Sequence, residues 1–283
     1  MKTVRTYATS ANLGPGFDCL GVCFDIYNEY DFEEASGYEL EGFYEAFLKA
    51  ENNLIIQSYE KVFELKKQKL KYIKLIERVK NIPNSRGLGS SASCIVAGVM
   101  IASSVLDNLL STDEIFQIAS FIEGHPDNVA PLVYGGLICS FKNEEYHTIK
   151  YNVDKDFIFT VCIPSFELKT SDARRVLPKE VTMKDAVSNI AHTVGIIKAL
   201  ETGDLDLLKQ AAVDKLHEPY RFPLIKGSND VIEFGKENDA VAFISGAGST
   251  MLLISKKHLD FKYKDWQIKE VKVLNKGAYI YEK

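Results

Sequence analysis

Glycine, serine and one arginine are concentrated in residues 83–93, directly before the apolar run 94–102. A continuous apolar run of that length predicts a helix buried on all sides, with the serines at its N-terminus. Free N–H groups and the positive end of the helix dipole favour an anion there. Gly87 and Gly89 let the backbone close around that anion, and Arg86 adds a mobile positive charge at the mouth. The segment therefore predicts a phosphate-binding loop.

Taken alone, the motif has a simpler explanation, since Ser90 and Ser91 could serve only to cap the helix. The segment is not a Walker A motif, because no Lys-Ser/Thr pair follows its last glycine. It also lacks the GxGxxG spacing of dinucleotide-binding folds. The choice between a cap and a phosphate site therefore depends on the other polar segments of the chain.

Two further loops are rich in glycine. Residues 9–21 contain three glycines together with Asn12 and Asp18, and we interpret them as a ligand-facing loop rather than a long turn. Residues 245–250 form a second glycine-rich loop between two predicted strands.

A polar stretch at residues 123–131 begins with Glu123, at the end of a predicted helix. The helix dipole disfavours a carboxylate at that end unless a cation is present. Glu123 is therefore a candidate metal ligand, and the alternative is a solvated glutamate at a helix end. His125 is either a structural hydrogen-bonding group or a participant in chemistry.

The composition limits the class of protein. The 283-residue chain is 46% apolar and 26% charged with a formal net charge of −5, which suits one large or two modest globular domains. A weakly acidic chain argues against nucleic acid as a partner, and we interpret the lysine-rich run at residues 66–71 as a solvated helix end rather than a contact patch. Five cysteines without a CxxC pair suit the reducing cytoplasm. We expect neither a signal peptide nor a membrane span.

The elements that position these loops follow from hydrophobic periodicity. Helices are predicted over residues 53–67, 94–102, 111–122, 183–201, 204–216 and 229–237. Strands are predicted over residues 22–33, 38–43, 72–79, 137–141, 157–163, 240–244, 251–255, 268–274 and 277–282. The prolines of residues 217–223 are expected to preclude a regular helix there. A boundary just before the strand at 157 divides the chain into domains 1–154 and 155–283.

The glycine-rich loops at residues 83–93 and 245–250, a helix-end carboxylate and several arginines together favour transfer of a phosphoryl group from a nucleotide to a small anionic molecule. That reaction needs charge stabilisation and alignment, which backbone N–H groups, Mg²⁺ and arginine supply. One serine hydroxyl and one glutamate suffice as protein ligands of Mg²⁺, and arginines bind carboxylates at two points.

The motifs resemble those of the GHMP small-molecule kinases. Three motifs of that superfamily are similar to residues 8–18, 86–92 and 245–250, and three motifs of its homoserine kinase family resemble residues 123–131, 170–174 and 217–221. The six matches occur in the family's order and cover nearly the whole chain, so they favour a phosphate site over a simple helix cap.

The resemblance implies an α+β fold of two domains. The N-terminal domain is expected to be similar to ribosomal protein S5, with a left-handed βαβ crossover, and the C-terminal domain to be a ferredoxin-like α/β plait. The implied reaction is the ATP-dependent phosphorylation of the side-chain hydroxyl of L-homoserine, with Mg²⁺, by a homodimer.

The resemblance also implies roles for residues. The ATP triphosphate is expected at Pro83, Arg86, Gly87, Leu88, Gly89, Ser90, Ser91, Ala92 and Ser93, and Mg²⁺ at Ser91 and Glu123. Homoserine is expected among Asn12, Asp18, His125, Asn128, Arg174 and Arg221. Asp18 is expected to face the ammonium and the two arginines the carboxylate. Thr170, Asn128 and Arg174 are the expected catalytic residues, with Thr170 near the reacting hydroxyl.

Asn128 stands where related kinases of the superfamily have an aspartate base, and an amide cannot accept the proton. The resemblance therefore implies catalysis by alignment and charge neutralisation, with the proton leaving to phosphate or solvent. Asp127 is the nearby carboxylate that could act as a base instead, and we expect it to brace Asn128 or its loop. The alternatives are a kinase for another small hydroxy acid, such as shikimate or mevalonate, and a non-catalytic sensor of a nucleotide or metabolite. Asp18 favours an amino acid, because an ammonium group needs an acidic partner.

Overall fold

The computed structural model describes residues 1–282. Within these residues the first sheet has seven strands. The strands are β1 Lys2–Ala11, β2 Leu20–Ala35, β3 Glu39–Glu41, β4 Tyr72–Lys80, β5 Leu137–Lys142, β6 Tyr146–Tyr151 and β11 Tyr279–Glu282. They follow the order β11-β1-β2-β4-β3, with β5 paired to β2 and β6 paired to β5. The pairing of β3 with β4 is parallel and the other pairings are antiparallel.

Four helices accompany the first sheet: α1 Leu54–Leu65, α2 Ser90–Val105, α3 Thr112–Glu123 and α4 Val129–Tyr134. Helix α2 is buried over most of its circumference, as its apolar sequence predicts, and it contacts α1, α3, α4 and β1. Asn53 caps α1 by accepting hydrogen bonds from backbone N–H groups, and Ser111 with Glu114 forms a capping box at α3. The predicted starts of both helices are confirmed.

The second sheet has four antiparallel strands in the order β10-β7-β9-β8. Its strands are β7 Ile158–Pro164, β8 Ala240–Ile244, β9 Met251–Ser255 and β10 Trp266–Val271. Its helices are α5 Thr170–Arg175, α6 Met183–Thr202, α7 Leu205–Ala211, α8 Glu218–Arg221 and α9 Ser228–Glu237. The first and last strands of this unit lie side by side, which is the strand order of the expected α/β plait and confirms the α+β class.

Two predictions for the segment between α6 and α9 are wrong. Residues 217–223 do contain a helix, α8, because Pro219 occupies its first turn, where a missing N–H costs no helical hydrogen bond. The helix predicted over 204–216 ends at Ala211, and the chain then continues in irregular backbone towards Asp214.

The final strand also departs from the predicted division of the chain. The boundary between residues 154 and 155 falls between β6 and β7, and thus between the two sheets. However, β11 pairs with β1 and completes the first sheet. A strand's sequence pattern predicts its two faces but not the sheet that it joins. Lys283, the last residue of the predicted second domain, lies outside the described residues.

Across residues 1–282, the structure contains no helix with the length and apolar character needed to cross a lipid bilayer.

Candidate active site

The three glycine-rich segments, distant in sequence, meet at one cleft of about 490 Å³. A Cβ atom on Gly87 would lie 2.1 Å from the backbone oxygen of Ser245, so only glycine permits this contact. The Ser245 hydroxyl donates to the Gly87 oxygen at 2.7 Å, and the Gly246 N–H donates to the Ala11 oxygen at 2.9 Å. The structure thus brings all three predicted motifs together.

The second of these segments opens α2 and presents backbone donors. Gly89 is the N-cap residue, with a φ of +69°, and its oxygen accepts the first helical hydrogen bond, from the Ser93 N–H at 2.9 Å. The N–H groups of Ser90, Ser91 and Ala92 come before that bond and have no partner within the helix. Because these groups lie at the positive end of a 16-residue helix, this end of the cleft suits an anion.

Not every residue of the predicted phosphate loop reaches the cleft. The side chains of Leu88, Ala92 and Ser93 are fully buried. The Ser93 hydroxyl is hydrogen-bonded to that of Thr6 at 2.7 Å, and the Ser93 N–H is used within α2. Pro83 is partly buried and does not line the cleft. The side chains of these four residues shape the loop, and the side chains that face the cleft belong to their neighbours.

Arg86 lines the cleft, but the prediction that its charge is mobile is wrong. Its guanidinium donates to the backbone oxygens of Asn84 at 2.8 Å, Pro164 at 3.2 Å and Ser165 at 2.6 Å. It also forms an ion pair of 3.1 Å with Glu167. The contacts with Pro164, Ser165 and Glu167 hold the side chain along the end of β7 and the segment that follows it. No pattern of residue types indicates this arrangement, since the partners are mostly backbone carbonyls.

Ser91 and Glu123 form the candidate metal site. Their side chains meet at the N-terminus of α2 and the C-terminus of α3, where the Ser91 hydroxyl donates to Glu123 Oε2 at 2.8 Å. Burial raises the pKa of the Glu123 carboxyl, as expected for a carboxylate without a cationic partner. Two hard oxygen ligands beside an anion-binding helix end fit Mg²⁺, which takes its remaining ligands from phosphate and water. Within residues 1–282 no group of three or more His, Cys, Asp or Glu side chains could hold a metal alone.

His125, Asp127 and Asn128 line the cleft beside this pair. Asp127 is almost fully buried, and its Oδ1 contacts His125 Nδ1 at 3.0 Å and accepts from the Asn128 N–H at 3.0 Å. The Asp127 carboxylate raises the pKa of the His125 imidazole. Asn128 Oδ1 accepts from the Thr9 hydroxyl at 2.8 Å and lies against Gly89. Asp127 therefore braces both neighbours, and Asn128 is fixed at the start of α2.

Asp18 and Arg174 form a two-point ion pair, with nitrogen–oxygen distances of 2.8 Å and 3.0 Å. Both side chains are about one-third exposed. Asn12, expected to contact substrate, lines the cleft and uses its side-chain amide to hold backbone. It donates to the Gly246 oxygen at 2.9 Å and accepts from the Asp18 N–H at 2.7 Å. Asn12 thus orients Asp18 and ties the first glycine-rich loop to the third.

Arg221 lines the cleft although only 1% of its surface is exposed. Its guanidinium donates to the Ala173 oxygen at 3.3 Å, the Gly246 oxygen at 3.2 Å and His217 Nδ1 at 3.3 Å. No carboxylate of residues 1–282 lies within ion-pair distance of it. Burial lowers the pKa of Arg221 to about 10, because desolvation disfavours the charged form. A buried cation with this environment suits an anionic ligand group.

The sequence did not indicate that the neighbours of Arg221 form one hydrogen-bonded group. Buried Asp214 accepts hydrogen bonds from the N–H groups of Leu216, His217 and Glu218, so it fixes the start of α8. The His217 ring bonds the Gly14 oxygen through Nε2 at 2.7 Å, and burial lowers its pKa to about 4. A lone aspartate in a loop carries no sequence signal for such a role.

The buried carboxyl of Glu218 should make the stability of the fold depend measurably on pH. Burial raises the pKa of its carboxyl from 4.5 to about 8, and its Oε1 accepts from the Ile244 N–H at 2.8 Å. Between those pKa values the folded chain holds a proton that the unfolded chain has released, so the free energy of unfolding falls as pH rises. Glutamine at this position keeps the acceptor and removes the titration.

We therefore expect Glu218→Gln to gain stability over the wild type by up to about 1.4 kcal/mol per pH unit between about pH 5 and pH 8. Urea unfolding of both proteins at several pH values measures this difference. A difference that stays constant over the range would contradict the raised pKa.

The far end of the cleft is apolar and aromatic, and this part of the site was not predicted. It contains a stacked pair, Tyr30 and Phe43, whose ring centroids are 6.2 Å apart. Other side chains that line this end are Tyr44, Phe47, Leu54, Ile55 and Cys94. The density of aromatic residues in 43–47 is the sequence feature that could have indicated this end of the cleft.

Thr170, the first residue of α5, is exposed and lines the cleft.

The chain is similar to known proteins over its whole length. The model of the GHMP kinase N-terminal domain matches residues 53–136, and that of the GHMP kinase C-terminal domain matches residues 196–269. A homoserine kinase of Clostridium beijerinckii is 38% identical over 100% of this chain and 99% of its own length. A homoserine kinase of Clostridium botulinum is 39% identical, covering 99% of this chain and 98% of the relative.

A solved structure is similar over the same extent. The crystal structure of homoserine kinase from Cytophaga hutchinsonii superposes with a TM-score of 0.86 at 26% identity, covering 99% of this chain and 97% of the other. The family models together match more than half of the chain, and the relatives match it from end to end. The chain therefore belongs to the GHMP kinase family, in its homoserine kinase branch.

Proposed function

We propose that this kinase transfers the terminal phosphoryl group of ATP to the side-chain hydroxyl of L-homoserine, forming O-phospho-L-homoserine for threonine biosynthesis. The observation that carries the choice of acceptor is the Asp18–Arg174 ion pair, whose arginine lines the cleft together with buried Arg221. Together these residues offer one negative and two positive groups to the acceptor.

An α-amino acid carries one ammonium and one carboxylate group. Its ammonium would replace Arg174 as the partner of Asp18, and its carboxylate would replace Asp18 as the partner of Arg174. Arg221 would add a second contact to the same carboxylate. Shikimate and mevalonate carry the carboxylate without the ammonium, and they would leave Asp18 without a partner in a partly desolvated site. The charges therefore favour homoserine.

The helix N-terminus and the aromatic end of the cleft suit ATP. The N–H groups at the start of α2 would bind the triphosphate, and the aromatic end with Tyr30 and Phe43 would accept the base. Ser91 and Glu123 would hold Mg²⁺, which supplies charge neutralisation to the phosphates when bound. Their contact of 2.8 Å supports this role, because it brings both oxygen ligands to the end of α2 where the triphosphate would bind.

The chain's own residues would act by orienting the acceptor. Asn128, held by Thr9 and by the Asp127 carboxylate, would position the acceptor hydroxyl beside the start of α2. An amide cannot take the hydroxyl proton, and the Asp127 carboxylate is already bonded to two neighbours. We propose that the proton leaves to phosphate or solvent, and that Thr170 and Arg174 help to align the hydroxyl for in-line transfer.

The proposal includes two further expectations. The kinase would act in the cytoplasm, in keeping with its cysteines, all five of which are free. It would also act as a homodimer.

Release of ADP by the purified protein with Mg-ATP tests the proposed acceptor. We expect turnover with L-homoserine to exceed that with shikimate or mevalonate by about 10- to 100-fold, since the charge-assisted contact between the ammonium and Asp18, worth about 1.5–3 kcal/mol, distinguishes the acceptors. Turnover without an acceptor should be lower still. Preferred turnover of another acceptor would replace homoserine in the proposal. Binding of ATP without turnover of any acceptor would indicate a sensor.

A further inference from the structure

Helix α6 has an exposed apolar stripe. Met183, Val187, Ile190 and Val194 are 79%, 56%, 69% and 64% exposed, which is unusual for four large apolar side chains on one helix. Val181, which directly precedes the helix, is 45% exposed and extends the apolar surface. We call the four helical residues the α6 stripe.

The chain cannot bury the stripe by turning α6, because the opposite face of the helix is fully engaged. Asn189 and Thr193 both donate to the backbone oxygen of Pro15, in the glycine-rich loop that carries Asp18. Ile196 is fully buried in the core beneath the second sheet. The orientation of α6 is therefore fixed, and the stripe faces outward.

The spacing of the stripe indicates the kind of partner. Its members are separated by four, three and four residues, which is the spacing of the seam between two paired helices. The same spacing is obtained when the stripe is read in the opposite direction. A two-fold axis through its centre would therefore place Val187 against Ile190 and Met183 against Val194 of an identical, antiparallel helix. Self-complementarity of this kind is what an isologous dimer requires.

The flanks of the stripe also permit close approach to an identical surface. Ala186 and Ala191 lie beside its central residues and are small and uncharged. The stripe does carry lysines on one edge, Lys184 and Lys198, and these lie towards its two ends rather than at its centre. Burying apolar side chains of this size is worth about 1.5–3 kcal/mol each when complete, and eight of them would be covered in one dimer.

We infer that the α6 stripe is the homodimer interface, formed by antiparallel pairing of α6 from two copies of this chain. The inference rests on the dimer included in the proposed function, and it does not depend on the identity of the acceptor. Because the buried face of α6 holds the Pro15 loop, the interface would also support the acceptor side of the cleft.

Analytical ultracentrifugation of the full chain tests the interface without any substrate. We expect the wild type to sediment at twice the 31.8 kDa mass and Ile190→Glu to sediment as a monomer. The matched control is Ile149→Glu, the same change at a 46% exposed isoleucine of β6, which should remain dimeric. A monomeric wild type, or a dimeric Ile190→Glu with unchanged affinity, would overturn the inference.

A mixing experiment tests the antiparallel register and does not rely on the loss of a signal. Val187→Lys and Ile190→Glu should each be monomeric, because each homodimer would bury unpaired charges. Mixed in equal amounts, they should form a heterodimer, since the introduced lysine of one copy would face the introduced glutamate of the other. Circular dichroism of each variant establishes that it is folded. Folded variants that stay monomeric when mixed would rule out this register.

Discussion

Replacing Glu123 with glutamine lowers the turnover of the kinase by about a hundredfold or more, and a rise in Mg²⁺ concentration restores part of it. The Glu123 carboxylate accepts from the Ser91 hydroxyl at the start of α2, where we propose that the triphosphate binds, and glutamine is a weaker ligand for a hard cation. Burial raises the pKa of the Glu123 carboxyl, so neutralising it removes a desolvated charge and should not reduce stability. Turnover measured over a Mg²⁺ titration tests the expectation.

The matched control is Glu237→Gln, because Glu237 also ends a helix, α9, but is exposed and lies outside the cleft. Its turnover should equal that of the wild type. Thermal unfolding of both variants separates a kinetic effect from a loss of fold. Wild-type turnover by Glu123→Gln at every Mg²⁺ concentration would remove Glu123 from the metal site.

Replacing Arg221 with methionine raises the KM for homoserine by about 10- to 100-fold, which corresponds to the loss of one charge-assisted contact of about 1.5–3 kcal/mol. The KM for ATP should change little, since Arg221 lies at the acceptor end, beside His217 and Gly246. Methionine occupies much of the arginine volume, and burial has already lowered the pKa of Arg221 to about 10. The change therefore removes a costly buried charge without opening a large cavity.

Arg175→Met provides the comparison, because Arg175 is 76% exposed and is paired with Asp172 on the surface of α5. Neither KM should change in that variant. Steady-state kinetics with each substrate varied in turn measures both constants. If Arg221→Met changed only the KM for ATP, the assignment of Arg221 to the acceptor carboxylate would be incorrect.

Local features of the structure could be predicted because their causes are local. The start of α1 at Asn53 and the capping box of Ser111 and Glu114 depend on residues at most three positions apart. The burial of α2 follows from its uninterrupted apolar sequence, and the glycines before it mark the turn that it needs. Helix α8 was not predicted, because a proline is compatible with a helix only in the first turn. Whether Pro219 lies in the first turn depends on where the helix begins, and the sequence did not indicate that start.

Residue types indicated a phosphate site and an acceptor with a carboxylate, and motif order indicated the family. The partners of individual side chains could not be inferred in the same way. Arg86 bonds backbone oxygens of Pro164 and Ser165, and Asn12 bonds the backbone oxygen of Gly246. Every residue has a carbonyl, so sequence contains no signal for which carbonyl becomes an acceptor.

The sequence by itself determined the chemistry that the chain can offer: a helix N-terminus for phosphate, two oxygen ligands for a cation, and charges for a small acceptor. Only the tertiary structure decided which of these groups pair with each other, which are buried and which strands lie together. It paired Asp18 with Arg174, buried Arg221 without a carboxylate partner, and returned β11 to the first sheet. The physical reason is range: propensity and capping act within a few residues, whereas ion pairs, burial and strand pairing depend on residues that only the folded chain brings together.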